Sequence, residues 1–395
     1  MSRILFAWEL GANLGHLARD LPVAERLRDD GHEIAFAVRD TRTAAQLLTP
    51  KGFPFTQSPL CVNRTRLAEP PANYAEMLAA EGWCDKDALL GHLQAWMSVI
   101  RLGRFDAVVA DHAPGALIAA HILEMPGIPF GSGFEIPPDC EPMPGIRPWD
   151  KHSAGRLLSS ERRVLGHINA AIAACGGKPY ERLGQIFAEN AVLSTFPELD
   201  HYGARCGGRY VGSIHGLDGA AGLAWPATGG PRVLAYLRPH HPIVGRVMED
   251  VAMFGANAVC VVPGAGQEFV RRHQRESIAV SEQPVALGPL LKTADILVCH
   301  GGIGTVSEAM LAGVPLLMIP STVEQCLAGR CVESLGAGVV VADRWGGDVF
   351  RCAVSEGRQR EQNSAAVREF AKRYSGWGPQ SAIRQTAAHV IAVLS

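Results

Sequence analysis

The sequence has 395 residues, a length that suits two or three domains of ordinary size. Apolar residues make up 47% and charged residues 19%, so the chain can bury a substantial core, which excludes a disordered protein. A formal net charge of −2 and the lack of a polybasic run argue against binding to nucleic acid or to a membrane surface.

Short apolar strands alternate with helices in the first half of the sequence. The predicted strands are 4–8, 33–38, 106–110, 128–130 and 191–194. The predicted helices are 17–30, 41–48, 115–124 and 153–174, with two further helical stretches between residues 74 and 100. A stretch rich in Gly, Ala and Pro, 216–231, follows and is the predicted linker between two domains.

The same alternation restarts after the linker. Predicted strands are 232–237, 258–262, 295–299 and 314–319, and predicted helices are 243–254, 305–312 and 323–335. This pattern indicates parallel sheets covered by helices on both faces. We expect an α/β protein with two doubly wound, Rossmann-like domains, 1–215 and 232–376, facing a cleft. We also expect a C-terminal helix in 377–395 that packs back on the first domain.

Cysteine usage and apolar runs indicate where the protein works. The ten cysteines are scattered, with no CxxC pair and no Cys/His cluster at zinc spacing, which fits a reducing compartment. The apolar run 4–8 is too short for the core of a signal peptide, and no run approaches the roughly 20 residues of a membrane span. We therefore expect a cytoplasmic protein without a transmembrane segment.

A glycine-rich turn between a predicted strand and a predicted helix suits a diphosphate. It contains His300, Gly301, Gly302, Gly304 and Thr305. The glycines let the backbone approach a ligand closely, and the following helix start offers unpaired N–H groups and the positive end of its dipole. His300 could donate a hydrogen bond to a phosphate oxygen.

Two carboxylates near this turn have both a binding and a structural interpretation. Glu308 could accept hydrogen bonds from ribose hydroxyls, but Thr305 and Glu308 also have the spacing of a capping box that closes a helix start. Ser321 and Glu324 have the same spacing, so the same alternative applies to Glu324.

The stretch 300–325 reads HGGIGTVSEAMLAGVPLLMIPSTVEQ. It resembles the signature of the UDP-glycosyltransferase superfamily, HxG…E…GVP…P…(D/E)Q, with the same spacing throughout. The resemblance implies a GT-B fold and a nucleotide-sugar donor. It further implies that His300 and the glycine-loop amides hold the diphosphate, that Glu308 holds the ribose, and that Glu324 and Gln325 contact sugar hydroxyls.

The first strand and helix continue the resemblance. The strand 4–8 is followed by a loop ending in Gly15-His16, and the next helix ends in Gly31-His32. In this family the first His is the general base, oriented by an Asp at the end of a later strand, which corresponds to His16 and Asp111. Histidine titrates near neutral pH and can take the proton of an acceptor hydroxyl, while a carboxylate stabilises the imidazolium. The alternatives are a helix-start histidine without a catalytic role, and the adjacent His112 in place of Asp111.

Three features depart from the family pattern or compete with it. Arg238 stands where the family has a Gly-Ser/Thr phosphate contact, and it could supply a charge-assisted contact instead. No base-stacking aromatic is evident near 283–285, so UDP and dTDP stay open alternatives. Asp85 and Asp87 formally match a D-x-D metal motif, although acidic residues also favour a helix start.

The resemblance and the motifs together predict an enzyme. We expect an inverting, metal-independent glycosyltransferase with no cofactor, which moves a hexose-type sugar from a UDP- or dTDP-sugar to a hydroxyl of a small-molecule or lipid acceptor. One alternative is a GT-B-fold nucleotide-sugar epimerase, which would need a second acid/base residue near the sugar. Another is a non-catalytic GT-B partner protein.

Overall fold

The computed structural model describes residues 1–12, 15–61, 64–215, 222–239, 241–341 and 358–395. These residues form two compact units, Met1–Ile214 with Gln380–Ser395, and His215–Pro379. Within the predicted linker, residues 216–221 lie outside the described residues, and 222–231 belong to the second unit. There Trp225 donates through Nε1 to Thr293 Oγ1 at 3.0 Å, and the Arg232 guanidinium lies over the Trp225 ring.

The first unit contains a six-stranded parallel sheet with strand order β3-β2-β1-β4-β5-β6. The strands are β1 Arg3–Trp8, β2 Glu33–Val38, β3 Phe55–Gln57, β4 Ala107–Asp111, β5 Gly127–Gly131 and β6 Val192–Leu193. The central strands β1 and β4 are buried along nearly their whole length, because helices cover both faces of a parallel sheet. Their register pairs Trp8 with Asp111 at the carboxyl edge.

The helices of the first unit connect these strands. They are α1 Gly15–Asp29, α2 Thr41–Leu47, α3 Tyr74–Leu78, α4 Lys86–Gly103, α5 Pro114–Ile122 and α6 Ala154–Ala174. Short helical turns span Thr49–Lys51, Ala79–Trp83, Leu183–Phe187 and Pro197–Leu199. One apolar cluster lies on each face of the sheet, with Leu5 and Ala7 on one side and Ile4 and Phe6 on the other. This division follows from the two-residue side-chain period of a strand.

The second unit repeats the same topology, with strand order β12-β11-β10-β7-β8-β9. Its strands are β7 Arg232–Tyr236, β8 Asn257–Val261, β9 Ile278–Ser281, β10 Ile296–Cys299, β11 Leu316–Met318 and β12 Gly338–Val340. Its helices are α7 Val244–Met253, α8 Gln267–His273, α9 Leu287–Leu291, α10 Ile303–Leu311, α11 Val323–Ser334 and α12 Arg358–Arg373. Two six-stranded parallel sheets with flanking helices confirm the predicted fold class.

The last helix, α13 Pro379–Leu394, returns the chain to the first unit. Its apolar residues Ala382, Ile383, Ala387 and Val390 are buried in the cluster that contains Ile4 and Phe6. Burial of an apolar helical face against a sheet is the main source of stability for such a helix. Among the described residues, no helix is both long enough and apolar enough to cross a bilayer.

Candidate active site

Both units carry their candidate residues at the same topological position. In each sheet the strand order reverses next to the first strand, between β1 and β4 in the first unit and between β7 and β10 in the second. Ligands of doubly wound sheets bind at the carboxyl ends of the strands at such a switch point. His16 follows β1 and Asp111 ends β4, while Arg238 follows β7 and His300 follows β10.

The structure brings His16 and Asp111 together. The Nδ1 atom of His16 lies 2.8 Å from Oδ1 of Asp111. The Trp8 ring stacks on the imidazole with centroids 5.1 Å apart and an interplanar angle of 23°. Gly11 lies close to the other ring nitrogen: a Cβ added to Gly11 would be 2.7 Å from Nε2 of His16. The carboxylate and the indole therefore orient the ring, and the glycine keeps a side chain away from Nε2.

Two further buried charges, Arg19 and Glu135, lie beside the His16–Asp111 pair, and the sequence analysis identified neither. Arg19 lies on α1 one turn after His16, and its Nη2 donates to both carboxylate oxygens of Asp111 at 2.6 Å. The same nitrogen lies 3.1 Å from Oε1 of Glu135, whose Oε2 accepts from the amide and hydroxyl of Ser132. The spacing of His16 and Arg19 could have indicated a shared helix face, since residues three apart are neighbours on a helix.

Burial and mutual charge fix the protonation states in this cluster. Burial opposes ionisation of Asp111, but the charges of Arg19 and His16 outweigh it and hold the pKa of this carboxyl well below its usual range. Glu135 behaves similarly, with a pKa lowered to about 2 chiefly by Arg19 against the cost of burial. Burial also opposes charging of His16, yet the neighbouring Asp111 carboxylate raises the pKa of the imidazole above its ordinary value. A histidine held this way binds a proton readily.

Two other titratable groups adjoin the cluster. Burial and the Asp111 charge raise the pKa of Asp20 well above its ordinary value, which favours its neutral form. Burial lowers the pKa of His112 to about 4, so that ring is neutral at physiological pH. The centroids of the His112 and His16 rings are 6.2 Å apart. Because it is Asp111 that bonds His16, the alternative with His112 in the orienting role is not supported.

His300 has a different arrangement from the one expected. Its Nδ1 donates to the Ile319 carbonyl at 2.8 Å, and its Nε2 accepts from the Arg238 backbone N–H at 2.9 Å. Burial lowers its pKa to about 4, with smaller effects from His241 and Arg238. The ring is therefore neutral, with its proton on Nδ1. In this structure it links the ends of β7, β10 and β11 and has no N–H left to donate to a phosphate oxygen.

The glycine-rich turn leads into α10, which begins at Ile303. Gly302 is the N-cap residue, and no side chain caps the helix. Thr305 is thus the third residue of the helix, so the predicted Thr305–Glu308 capping box is wrong. Gly301 has φ +91°, a backbone conformation that favours glycine because other residues are strained there. Uncapped N–H groups at a helix start can bind an anion.

Glu308 lies in the second turn of α10 and is half-buried. Burial raises its pKa to about 7, although a hydrogen bond from the Gly288 backbone N–H partly offsets this.

The side chain of Arg238 is exposed, while its backbone N–H donates to His300. Gly304 lies in the first turn of α10, where a Cβ would make only ordinary contact with the His215 side chain.

The start of α11 is capped one residue later than predicted. Thr322 is the N-cap, and its hydroxyl accepts from the Gln325 N–H. The Gln325 side chain is buried, and its Oε1 accepts from the amide and hydroxyl of Ser321. The predicted Ser321–Glu324 box is therefore wrong. Glu324 lies half-buried in the first turn of α11, whereas the Gln325 oxygen already has a structural role.

The D-x-D pair has a structural role at the start of α4. The Asp85 side chain is the N-cap and accepts from the N–H groups of Asp87 and Ala88, both at 3.1 Å. Asp87 lies in the first turn of the same helix. This geometry supports the helix-start interpretation of the pair.

Comparisons with known proteins agree on one type of fold. Residues 245–373 match the family described as erythromycin biosynthesis protein CIII-like, C-terminal domain. A PGL/p-HBAD biosynthesis glycosyltransferase of Mycobacterium tuberculosis is 23% identical over 367 residues, covering 86% of this chain and 80% of that protein. An NDP-glycosyltransferase YjiC of Bacillus subtilis is 48% identical over 50 residues, which are 13% of each protein.

Solved structures share the fold across the whole chain. The glycosyltransferase of kitacinnamycin superposes with a TM-score of 0.69 at 19% identity, covering 100% of this chain and 99% of that one. The Streptomyces sp. SF2575 glycosyltransferase SsfS6, solved in complex with thymidine diphosphate, gives a TM-score of 0.66 at 18% identity and covers 98% and 99%. The stretch from His300 to Gln325 lies inside the family match, whereas Arg238 lies outside it.

Proposed function

We propose that this chain transfers a sugar from a nucleoside diphosphate donor to a hydroxyl of a small-molecule or lipid acceptor, a proposal supported by its similarity to glycosyltransferases in sequence and fold. His16 is the general base of this reaction. The observation that carries the proposal is the hydrogen bond between Nδ1 of His16 and the buried Asp111 carboxylate, with Nε2 facing the backbone of Gly11.

The chemistry at His16 is a single displacement. Asp111 holds the proton of the neutral ring on Nδ1, so Nε2 is the basic nitrogen. The acceptor hydroxyl gives its proton to Nε2 while its oxygen forms a bond to the anomeric carbon, and the bond from that carbon to the diphosphate breaks. The configuration at the anomeric carbon is thereby inverted. The imidazolium that forms is stabilised by the Asp111 carboxylate.

The second unit supplies the groups for the donor. The diphosphate accepts hydrogen bonds from the uncapped N–H groups of Gly302, Ile303 and Gly304 at the start of α10, aided by the Thr305 hydroxyl. The exposed Arg238 guanidinium adds a charge-assisted contact. His300 supports this site indirectly, because it fixes the Arg238 backbone. These contacts would stabilise the leaving diphosphate without a metal ion.

The remaining donor contacts involve the nucleoside and the sugar. The Glu308 carboxylate accepts hydrogen bonds from the ribose hydroxyls, and Glu324 contacts hydroxyls of the transferred sugar. The thymidine diphosphate complex of SsfS6 makes dTDP-sugars the first donors to test, beside UDP-sugars.

The test is a transfer assay with dTDP-glucose and UDP-glucose against phenolic, macrolactone and fatty-alcohol acceptors. Mass spectrometry should detect an acceptor that has gained one hexose. His16→Ala should then lower the rate by about a hundred- to ten-thousandfold, while the affinity for dTDP or UDP stays unchanged. The matched control is His167→Ala on α6, which should turn over normally. Near-normal turnover in His16→Ala would reject the proposed base.

A further inference from the structure

Four ionisable groups are buried directly around the proposed base. Asp111 is 0% exposed, Asp20 1%, Glu135 4% and Arg19 6%. A ring nitrogen of His16 and one carboxylate oxygen each of Asp111 and Glu135 all lie within 4.8 Å of one another. At these distances, in a poorly solvated interior, each charge acts strongly on the others.

The charges of this cluster do not cancel while His16 is neutral. Arg19 contributes one positive charge, Asp111 and Glu135 contribute one negative charge each, and Asp20 favours its neutral form. The sum is one negative charge. When His16 accepts a proton, the buried cluster becomes neutral as a whole. A buried group of charges is most stable when it is neutralised and fully hydrogen-bonded, so this cluster favours protonation of His16.

We infer that Arg19 and Glu135 are positioning residues that set the proton affinity of His16 through the net charge of this cluster. The inference rests on the proposed role of His16. Arg19 fixes Asp111 by bonding both of its oxygens, but its charge also weakens the pull of Asp111 on the imidazole. Glu135 offsets that charge from the other side at 3.1 Å.

Among the described residues, the charged groups that act on the His16 imidazole are Asp111, Arg19 and Glu135. Trp8 and Gly11 are uncharged, and His112 is neutral because burial lowers its pKa to about 4. Asp20 acts through Asp111, next to which it is held neutral. Arg19 and Glu135 are thus the two charges whose removal should shift the titration of His16 in opposite directions.

The expected shifts follow from the sign of each charge. Arg19→Met removes a positive charge, so the titration of His16 should move up by about 1 pH unit. Glu135→Gln removes a negative charge, so it should move down by about 1 pH unit. The double variant loses one charge of each sign, and its His16 should titrate close to the wild-type value. A base must be neutral to accept a proton. At pH values below the wild-type pKa of His16, Arg19→Met should therefore transfer sugar about tenfold more slowly than the wild type, because about tenfold less of its His16 is neutral.

The experiment uses the full chain labelled with 15N-histidine and follows the imidazole resonances by NMR from pH 5 to 10. The His16 signal is assigned by its loss in His16→Gln. Arg26→Met is the matched control, because Arg26 lies on the same helix but is exposed and pairs with Asp30. It should leave the titration unchanged.

The outcomes separate the two proposals. Opposite shifts in the single variants, with recovery in the double variant, support the inference. Shifts of the same sign, or shifts no larger than that of Arg26→Met, overturn it. If Arg19→Met does not fold, Glu135→Gln and the charge-balanced double variant still decide the question. No substrate is needed, so this result stands apart from the transfer assay on His16→Ala, which alone tests the proposed function.

Discussion

Gly11→Ala tests whether the acceptor hydroxyl reaches the proposed base at Nε2. The new Cβ would lie 2.7 Å from Nε2 of His16 and 3.2 Å from Nδ1 of His112. The imidazole cannot easily move away, because Asp111 and the Trp8 ring hold it. The variant also places alanine at φ +81°, which costs about 1–2 kcal/mol of stability and lowers the melting temperature by about 2–8 °C in a unit of this size.

The catalytic effect should exceed the stability effect. A methyl group against Nε2 blocks the approach of the acceptor hydroxyl, so turnover should fall by about a hundredfold or more. The affinity for dTDP or UDP should not change, because Gly11 belongs to the first unit and the donor groups to the second. The assays are the transfer assay, calorimetry with the nucleotide and thermal unfolding.

Gly52→Ala is the control for backbone strain alone. Gly52 has φ +74°, close to that of Gly11, but a Cβ there would meet nothing within 4 Å. It should lower the melting temperature by a similar amount and leave turnover unchanged. Normal turnover in Gly11→Ala would refute the argument that the acceptor reaches Nε2 beside this glycine.

Three further predictions concern the dyad and the donor groups. Asp111→Asn should slow transfer by about ten-thousandfold, since an amide cannot stabilise the imidazolium, and adding His16→Ala should cause little further loss; multiplicative losses would separate the two residues. Glu308→Gln should weaken dTDP or UDP binding, and wild-type affinity should rise as pH increases through about 7, where the carboxylate forms; a pH-independent affinity in calorimetry would contradict the ribose contact. Finally, EDTA should leave nucleotide affinity unchanged. Loss of binding in EDTA would instead support a metal site at Asp85 and Asp87.

Much of the fold is readable from the sequence because parallel strands buried on both faces are nearly continuous apolar runs. The strands 4–8, 33–38 and 295–299 are recognisable in this way. Short or weakly apolar strands are not, and the predicted strands do not include β3, β9 or β12. β3 has only three residues and an exposed outer half, so its pattern carries little signal.

The boundaries of helices at the site were also less predictable than their existence. The spacing of Thr305 and Glu308 fits a capping box, but glycine at 302 lets α10 begin at Ile303 without any side-chain cap. At α11 the spacing of Ser321 and Glu324 indicates Ser321 as the N-cap, whereas the structure has Thr322 in that position. Spacing alone cannot resolve such one-residue shifts.

Contacts distant in sequence were the least predictable. Arg19 and Asp111 are separated by 92 positions, and Arg19 and Glu135 by 116. A buried arginine on a helix that starts beside the site looks in the sequence like any exposed helical arginine. The same holds for His300, whose two ring bonds depend on where β7 and β11 end in space.

The neighbouring buried charges explain how Asp111 stays ionised beside His16 although its carboxyl is fully buried. A buried carboxylate needs a counter-charge, which Arg19 supplies while His16 is neutral and which the imidazolium supplies in addition once His16 is protonated. Arg19 keeps Asp111 ionised, but a lone Arg19–Asp111 pair would be neutral already and would gain nothing when His16 is protonated. Glu135 restores one negative charge beside the pair. The proposed base at the end of β1 therefore needs both residues. Arg19 keeps Asp111 ionised, and Glu135 leaves the cluster with one negative charge that protonation of His16 neutralises.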